Sequence, residues 1–207
     1  MITLKTIVSG QLANNTVVLH DDKSAVVIDP QSYSDVRQYL VSKGLGCEAV
    51  ILTHGHYDHL QGVARLQKDG AKVYIHTLDS PMTTMGKMML GFESKTFEEF
   101  VSDYLIEDGF EYRIGDVSIM ALHTPGHSPG SVCLIVDGAL DTDIAGRTDR
   151  LVISGDTLFC GGMGRTDLPG GSYPAIMKSL RVLFDSFSDE TLVLPGHGGT
   201  TTIGQEK

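Results

Sequence analysis

Apolar positions along the chain follow two spacings. Short apolar blocks or every-second-residue patterns cover 2–8, 15–20, 24–29, 49–52, 71–76, 112–114, 117–123, 131–137, 151–154 and 191–194. That spacing predicts β-strands, the continuous blocks being strands covered on both faces. Helical spacing covers 34–43, closed by Gly44 and Gly46, then 60–66 and 173–187. A run of strands followed by a helix thus occurs twice. Two β-rich halves with outer helices predict an α/β/β/α sandwich. No stretch has the composition of a linker, so residues 1–207 read as one domain. Two stretches stand apart: the acidic segment 137–150, and 77–110, which reads as a helical insertion. The tetrapeptide Gly-Arg-Thr-Asp begins at both 146 and 164, and the first copy is read as a chance recurrence in a hairpin.

Composition narrows the function classes. The 207 residues are 41% hydrophobic and 20% charged, the balance of a globular chain with a sizeable core. A net charge of −10 without any Lys/Arg run excludes the basic footprint that nucleic acid or a membrane surface requires. No apolar run approaches the roughly 20 residues that span a bilayer. The opening Met1-Ile2-Thr3-Leu4-Lys5 lacks a signal pattern, so a cytoplasmic location is expected. Cys47, Cys133 and Cys160 include no C-x-x-C pair and read as free thiols of a reducing compartment.

The candidate chemistry gathers after strands. "THGHYDHLQG", residues 53–62, sets His54, His56, Asp58 and His59 between the strand 49–52 and the helix 60–66. Open α/β sheets place their sites at such strand-to-helix loops. Later loops repeat the pattern: "HTPGHSPGS" carries His127, "VISGDTLF" carries Asp156 and "VLPGHGG" carries His197. These seven nitrogen and oxygen ligands are too many for one tetrahedral ion and suit two ions sharing a carboxylate. Imidazole with carboxylate fits Zn, Fe or Mn, and the lack of thiolate disfavours a closed structural zinc site. With that set complete, His20, His76 and His123 are read as packing or hydrogen-bonding residues.

H-x-H-x-D-H followed by His, Asp and His in this order resembles the metallo-β-lactamase-fold superfamily over essentially the whole chain. Within it, "GRTDLPGG" at 164–171 and the ending "PGHGGTTTIGQE" are similar to short, single-domain type II glyoxalase-like (hydroxyacylglutathione hydrolase-like) enzymes. The resemblance implies the four-layer αββα sandwich, a first metal on His54, His56 and His127, and a second on Asp58, His59 and His197. Asp156 would bridge the two, and Asp29 in "VVIDP" would support ligands from behind. Two positions depart from the family without touching a ligand: Gln31 follows Asp-Pro where Gly is usual, and Leu60-Gln61-Gly62 keeps one of two common glycines. Larger glutathione-thioester hydrolases carry a helical C-terminal domain that grips glutathione. This chain reaches Lys207 soon after His197, so glutathione specificity does not come with the resemblance.

Two divalent ions with Asp58, Asp156 and a bridging hydroxide leave about one net positive charge. Such a site forms hydroxide near neutral pH and polarises the carbonyl it attacks. Without a separate general acid, a thiolate is the undemanding leaving group, because thiol pKa values lie near 8.5. The expected reaction is therefore hydrolysis of small-molecule thioesters such as hydroxyacyl-thiol conjugates, followed by esters or lactones, with β-lactams last. The rival by resemblance is a persulfide dioxygenase with one iron on His54, His127 and Asp156. A non-catalytic metal-binding protein is the third reading.

Two further expectations concern the rim of the site. Arg165 either holds an anionic substrate group or anchors its loop through Asp167, the latter being preferred. In 78–109, Met82, Met85 and Met89 share a helical face, and Met85 and Met89 are assigned to a lid over the metals that contacts substrate. The alternatives are simple packing or a homodimer contact.

Overall fold

A computed structural model describes residues 1–85 and 97–207, without the Met85 side chain. The first half runs β1 (Ile2–Ser9), β2 (Asn14–His20), β3 (Ser24–Ile28), α1 (Tyr33–Lys43), β4 (Gly46–Ile51), α2 (Tyr57–Leu60), α3 (Val63–Lys68), β5 (Lys72–His76), α4 (Met82–Met85) and β6 (Tyr104–Ile106). The second half runs β7 (Glu111–Ile114), β8 (Val117–His123), β9 (Val132–Thr142), β10 (Gly146–Gly155), β11 (Leu158–Phe159), β12 (Gly162–Met163), α5 (Tyr173–Ser186), β13 (Leu192–Pro195), β14 (Thr201–Thr202) and α6 (Ile203–Glu206).

Side-chain alternation produces the layers. Val17 and Leu19 of β2, Ile28 of β3 and Ile51 of β4 pack against Leu134 and Val136 of β9 and Ile153 of β10, filling the space between the sheets. The next residues along those strands face outward. Val18, Val27 and Val50 meet Val36 and Leu40 of α1 and Val63 and Leu66 of α3. Cys133, Ile135 and Val152 meet Leu180 and Leu183 of α5 on the other side. Three apolar layers thus separate four structural layers, the αββα sandwich expected from the sequence. The sheets run β1-β2-β3-β4-β5-β6 and β7-β8-β9-β10-β13-β14. They join where the far end of β9 pairs in parallel with β1, Ile2 opposite Leu140.

Strand direction places the site. β3, β4 and β5 are mutually parallel, so Asp29, the Thr53–His59 loop and Asp79 all emerge at one edge. β10 and β13 are parallel too, bringing out Asp156 and His197.

Three details differ from the sequence reading. The helix expected over 60–66 is two short pieces, α2 and α3, because Gly62 N–H donates to the Pro30 carbonyl at 2.8 Å. A Cβ there would lie 2.8 Å from that carbonyl oxygen. The hairpin of β9 and β10 extends through the polar residues to Thr142 and Gly146, because Leu140 is buried against β1 and the Arg150 side chain bonds Asp137. In the stretch read as a helical insertion, the described part is one turn of helix α4 and the strand β6, with Phe97 and Phe100 buried against the α1/α3 layer. Met89 and the Met85 side chain, the expected lid contacts, lie outside what is described. Met82 is buried beneath Gly55, where a Cβ would approach its sulfur to 2.6 Å.

Candidate metal centre

The histidine-rich loop leaves β4 through Thr53, and α2 follows after Gly55-His56. His54, Asp58, His59 and His127 are buried, and two triads form. Ligand atoms of His54, His56 and His127 lie within 4.8 Å of one another, as do those of Asp58, His59 and His197. The His54 and His59 ring centroids are 4.1 Å apart, so the triads are adjacent. Asp156 lies between them: Oδ1 is 3.4 Å from His59 Nε2, and Oδ2 is 3.5 Å from His127 Nε2 and 3.6 Å from His197 Nε2. Seven side chains from four loops thus converge as the sequence order suggested.

The backs of the rings are spoken for. His127 Nδ1 donates to the Arg165 carbonyl at 2.8 Å, and His197 Nδ1 to the Leu12 carbonyl at 2.8 Å. His59 Nδ1 bonds Asp29 Oδ2 at 2.9 Å. Thr53 gives its hydroxyl proton to Asp29 at 2.6 Å and therefore accepts from His54 Nδ1 at 3.0 Å. In its neutral form each of these rings is thereby held as the Nδ1–H tautomer, with its Nε2 lone pair left for the centre. Asp29, at a left-handed φ of 50°, also accepts the Thr53 N–H at 2.8 Å. Although it approaches His54 and His59, its oxygens are occupied behind them.

His54 Nε2, His59 Nε2 and Asp156 Oδ1 are buried and have no hydrogen-bond partner. Buried polar atoms are normally paired. Their convergence fits divalent cations, which accept these lone pairs without needing a proton.

Electrostatics divides the triads. Burial, then the neighbouring rings, drives His54 well below the ordinary histidine value, and His56 is pushed down to about 4 by burial and His127. Burial opposes charge on His59 too, but Asp156 and Asp29 outweigh it and raise that ring well above its usual value. His197 is likewise raised, its bond to Asp58 overcoming burial. Burial disfavours the Asp58 and Asp156 carboxylates, yet His197 and His59 hold Asp58 down to about 2, and His59 keeps Asp156 below the usual carboxylate value.

Backbone packing fixes Asp156. A Cβ on Gly196 would collide with Asp156 Oδ1 and lie 2.8 Å from His59 Cε1. One on Gly164 would collide with the Asp156 carbonyl and lie 3.0 Å from His127 Nδ1.

A cleft of about 480 Å³ opens over the cluster, walled by Leu12, Tyr57, Phe159, Met163, Arg165 and Leu168. Arg165 Nε and Nη2 both donate to the Asp167 carboxylate at 2.7 Å. The pair is exposed, and the Arg165 carbonyl holds His127.

The profile of the metallo-beta-lactamase superfamily matches residues 9–197. The chain belongs to this superfamily. It is 36% identical to the probable metallo-hydrolase YqgX of Bacillus subtilis, over 96% of this chain and 91% of the relative. It is 28% identical to the hydroxyacylglutathione hydrolase GloC of Haemophilus influenzae, over 94% and 89%. Among metallo-beta-lactamase-fold structures, the B3 metallo-beta-lactamase BLEG-1 superposes with a TM-score of 0.81 at 31% identity, covering 98% of this chain and 95% of that one. TTHA1623 in a di-iron-bound form gives 0.78 at 32% identity, covering 97% and 95%. Superfamily membership and the ligand cluster make this chain a metallo-hydrolase.

Several residues of the site escaped the sequence reading. Asp79, fully buried, accepts the Gly55 N–H at 2.9 Å and the Ser128 hydroxyl at 2.6 Å on one oxygen, and the Gly130 N–H at 2.6 Å on the other. It ties the His54–His56 loop to the His127 loop. Its signal was available, a carboxylate three residues past a strand end, as for the ligands. Asn15 donates from its side-chain amide to the carbonyls of Pro195 and Gly198 at 2.8 and 2.9 Å, and with Leu12 it fastens the His197 loop to the first hairpin. His76 and His123, expected to pack, stack on each other at 4.2 Å. His20 bonds Tyr39 at 2.8 Å.

Proposed function

We propose that the protein is a dinuclear metal-dependent hydrolase of thioesters. His54, His56 and His127 would hold one divalent ion, Asp58, His59 and His197 the other, and Asp156 would serve both. The observation that carries this reading is Asp156 between the triads, within 3.6 Å of His59, His127 and His197. Zinc is the preferred metal, with iron or manganese as alternatives, and the likeness to di-iron TTHA1623 supports a two-metal reading.

Bound divalent ions lower the pKa of water to about 7 and polarise a carbonyl oxygen. The chain's own residues do the rest. Asp29, Thr53, Leu12 and the Arg165 carbonyl hold the rings in the ligating tautomer, and the cleft walls orient the acyl group over the cluster. Among the described residues, and apart from the ligands, the cleft's ionisable groups are Tyr57, whose phenol burial pushes above its usual value, and Arg165, tied to Asp167. Neither is a ready proton donor at neutral pH, so a leaving group that departs unprotonated is favoured. A thiolate meets that condition and an amine does not. The activity for which GloC is named is of the same class.

Metal analysis with a substrate panel tests this. Two metals per chain and turnover of lactoyl thioesters well above a β-lactam control are expected. One iron per chain, with oxygen consumed in the presence of a glutathione persulfide, would replace this reading with the dioxygenase one.

A further inference from the structure

The walls of the cleft say more about the substrate than the metals do. Leu12 and Phe159 flank His197: the Leu12 carbonyl accepts its Nδ1–H at 2.8 Å, and the Phe159 ring stands edge-on at 6.2 Å. Met163 and Leu168 border the cleft with Arg165, whose carbonyl bonds His127. The approach to both triads is therefore apolar. Among the described residues lining the cleft, Arg165 alone carries a fixed positive charge, and both guanidinium contacts go to Asp167. Glutathione brings two carboxylates and an ammonium, and the described walls offer those charges no free partner. A desolvated, unpaired charge costs binding energy, whereas apolar walls reward methylenes.

We infer that the cleft selects thioesters by an apolar acyl chain of moderate length carried on a small thiol, its described walls giving glutathione no grip. This inference rests on the thioesterase reading. Hydrolysis forms a C–O bond from water to the acyl carbon and breaks the C–S bond, whose electron pair leaves on sulfur. The products are a carboxylate, a thiol and one proton released to solvent. Carbon-chain burial against Leu12, Phe159, Met163 and Leu168 then sets the rank order of substrates.

The experiment uses the metal-loaded protein with acetyl, butyryl and hexanoyl thioesters of N-acetylcysteamine. The lactoyl group is compared on that thiol and on glutathione. About 0.8 kcal/mol per buried methylene converts to a rise in kcat/KM of about fourfold per methylene through hexanoyl. The lactoyl ester of the small thiol should exceed that of glutathione. Met163→Ser and Leu168→Ser should each lower the hexanoyl-to-acetyl ratio. A flat chain-length series, an unchanged ratio in both variants, or preference for glutathione overturns the inference while thioester hydrolysis stands. If no thioester is cleaved, the thioesterase reading fails, and calorimetry with uncleavable thioethers still decides the inference. S-hexyl-N-acetylcysteamine binding more tightly than the S-ethyl compound by about fourfold per methylene supports it. Equal affinities overturn it.

Discussion

The Asp79 carboxylate accepts the Ser128 hydroxyl at 2.6 Å, deep below the cluster. With the N–H groups of Gly55 and Gly130 it spans the two loops that present His54, His56 and His127. Asp79→Asn keeps the shape but points an amide N–H₂ at donors. A buried donor left without an acceptor costs about 1–3 kcal/mol. Thermal melting should drop accordingly, and metal analysis should show loss centred on that triad. Ser128→Ala removes one bond and should be milder. Unchanged melting and metal content in Asp79→Asn would refute the tie.

Asp156→Ala should remove metal from both triads, because one carboxylate faces each. Replacing groups behind metal ligands typically costs 10–100-fold in affinity or activity, so loss of this carboxylate should cost about a hundredfold or more. His76→Ala should retain most metal. Parallel metal analysis and turnover check the pair, and similar behaviour would dismiss the bridging role.

Gly196→Ala drives a methyl toward Asp156 Oδ1 and His59. Overpacking of this kind costs typically 1–3 kcal/mol. Metal affinity, read by chelator competition, should fall together with the melting temperature. Gly199→Ala, with open space around its Cβ position, is the control.

The stacked pair His76 and His123 predicts a pH dependence. Burial, then His123, lowers His76 below its ordinary 6.5, while the carboxylates of Asp79, Glu107 and Asp108 pull weakly the other way. His76 Nδ1 also accepts the Leu78 N–H at 3.2 Å, which requires the neutral ring. Below pH 6.5 the unfolded chain binds the proton more readily. Stability is thus fully present above that pH and falls as acid titrates the folded ring. Denaturant melts of chelated protein between about pH 5 and 7 should show this slope added to that of the buried His54 and His56, and His76→Phe should lessen it although its overall stability is lower. An unaltered slope would contradict the assignment.

The candidate ligands were legible in the sequence because each sits on a loop that follows a strand, where residue type and local spacing suffice. His54, His56, Asp58, His59, His127, Asp156 and His197 all meet that condition. The sandwich was legible for the same reason, since alternation within each strand names its two faces. What stayed hidden depends on partners far along the chain. The grip of Leu12 and Asn15 on the His197 loop spans most of the sequence. Strand β6 forms only because Tyr104–Ile106 finds β5 as a parallel neighbour. Asp79 had the strand-end signal but lies in a stretch whose methionines suggested a lid.

That grip on His197 also makes the site a product of the finished fold. His197 is aimed by the carbonyl of Leu12, and His127 by that of Arg165. Each triad therefore takes its shape from contacts between residues far apart in the sequence. Loosening the first hairpin would be felt at His197 without any change to the ring itself.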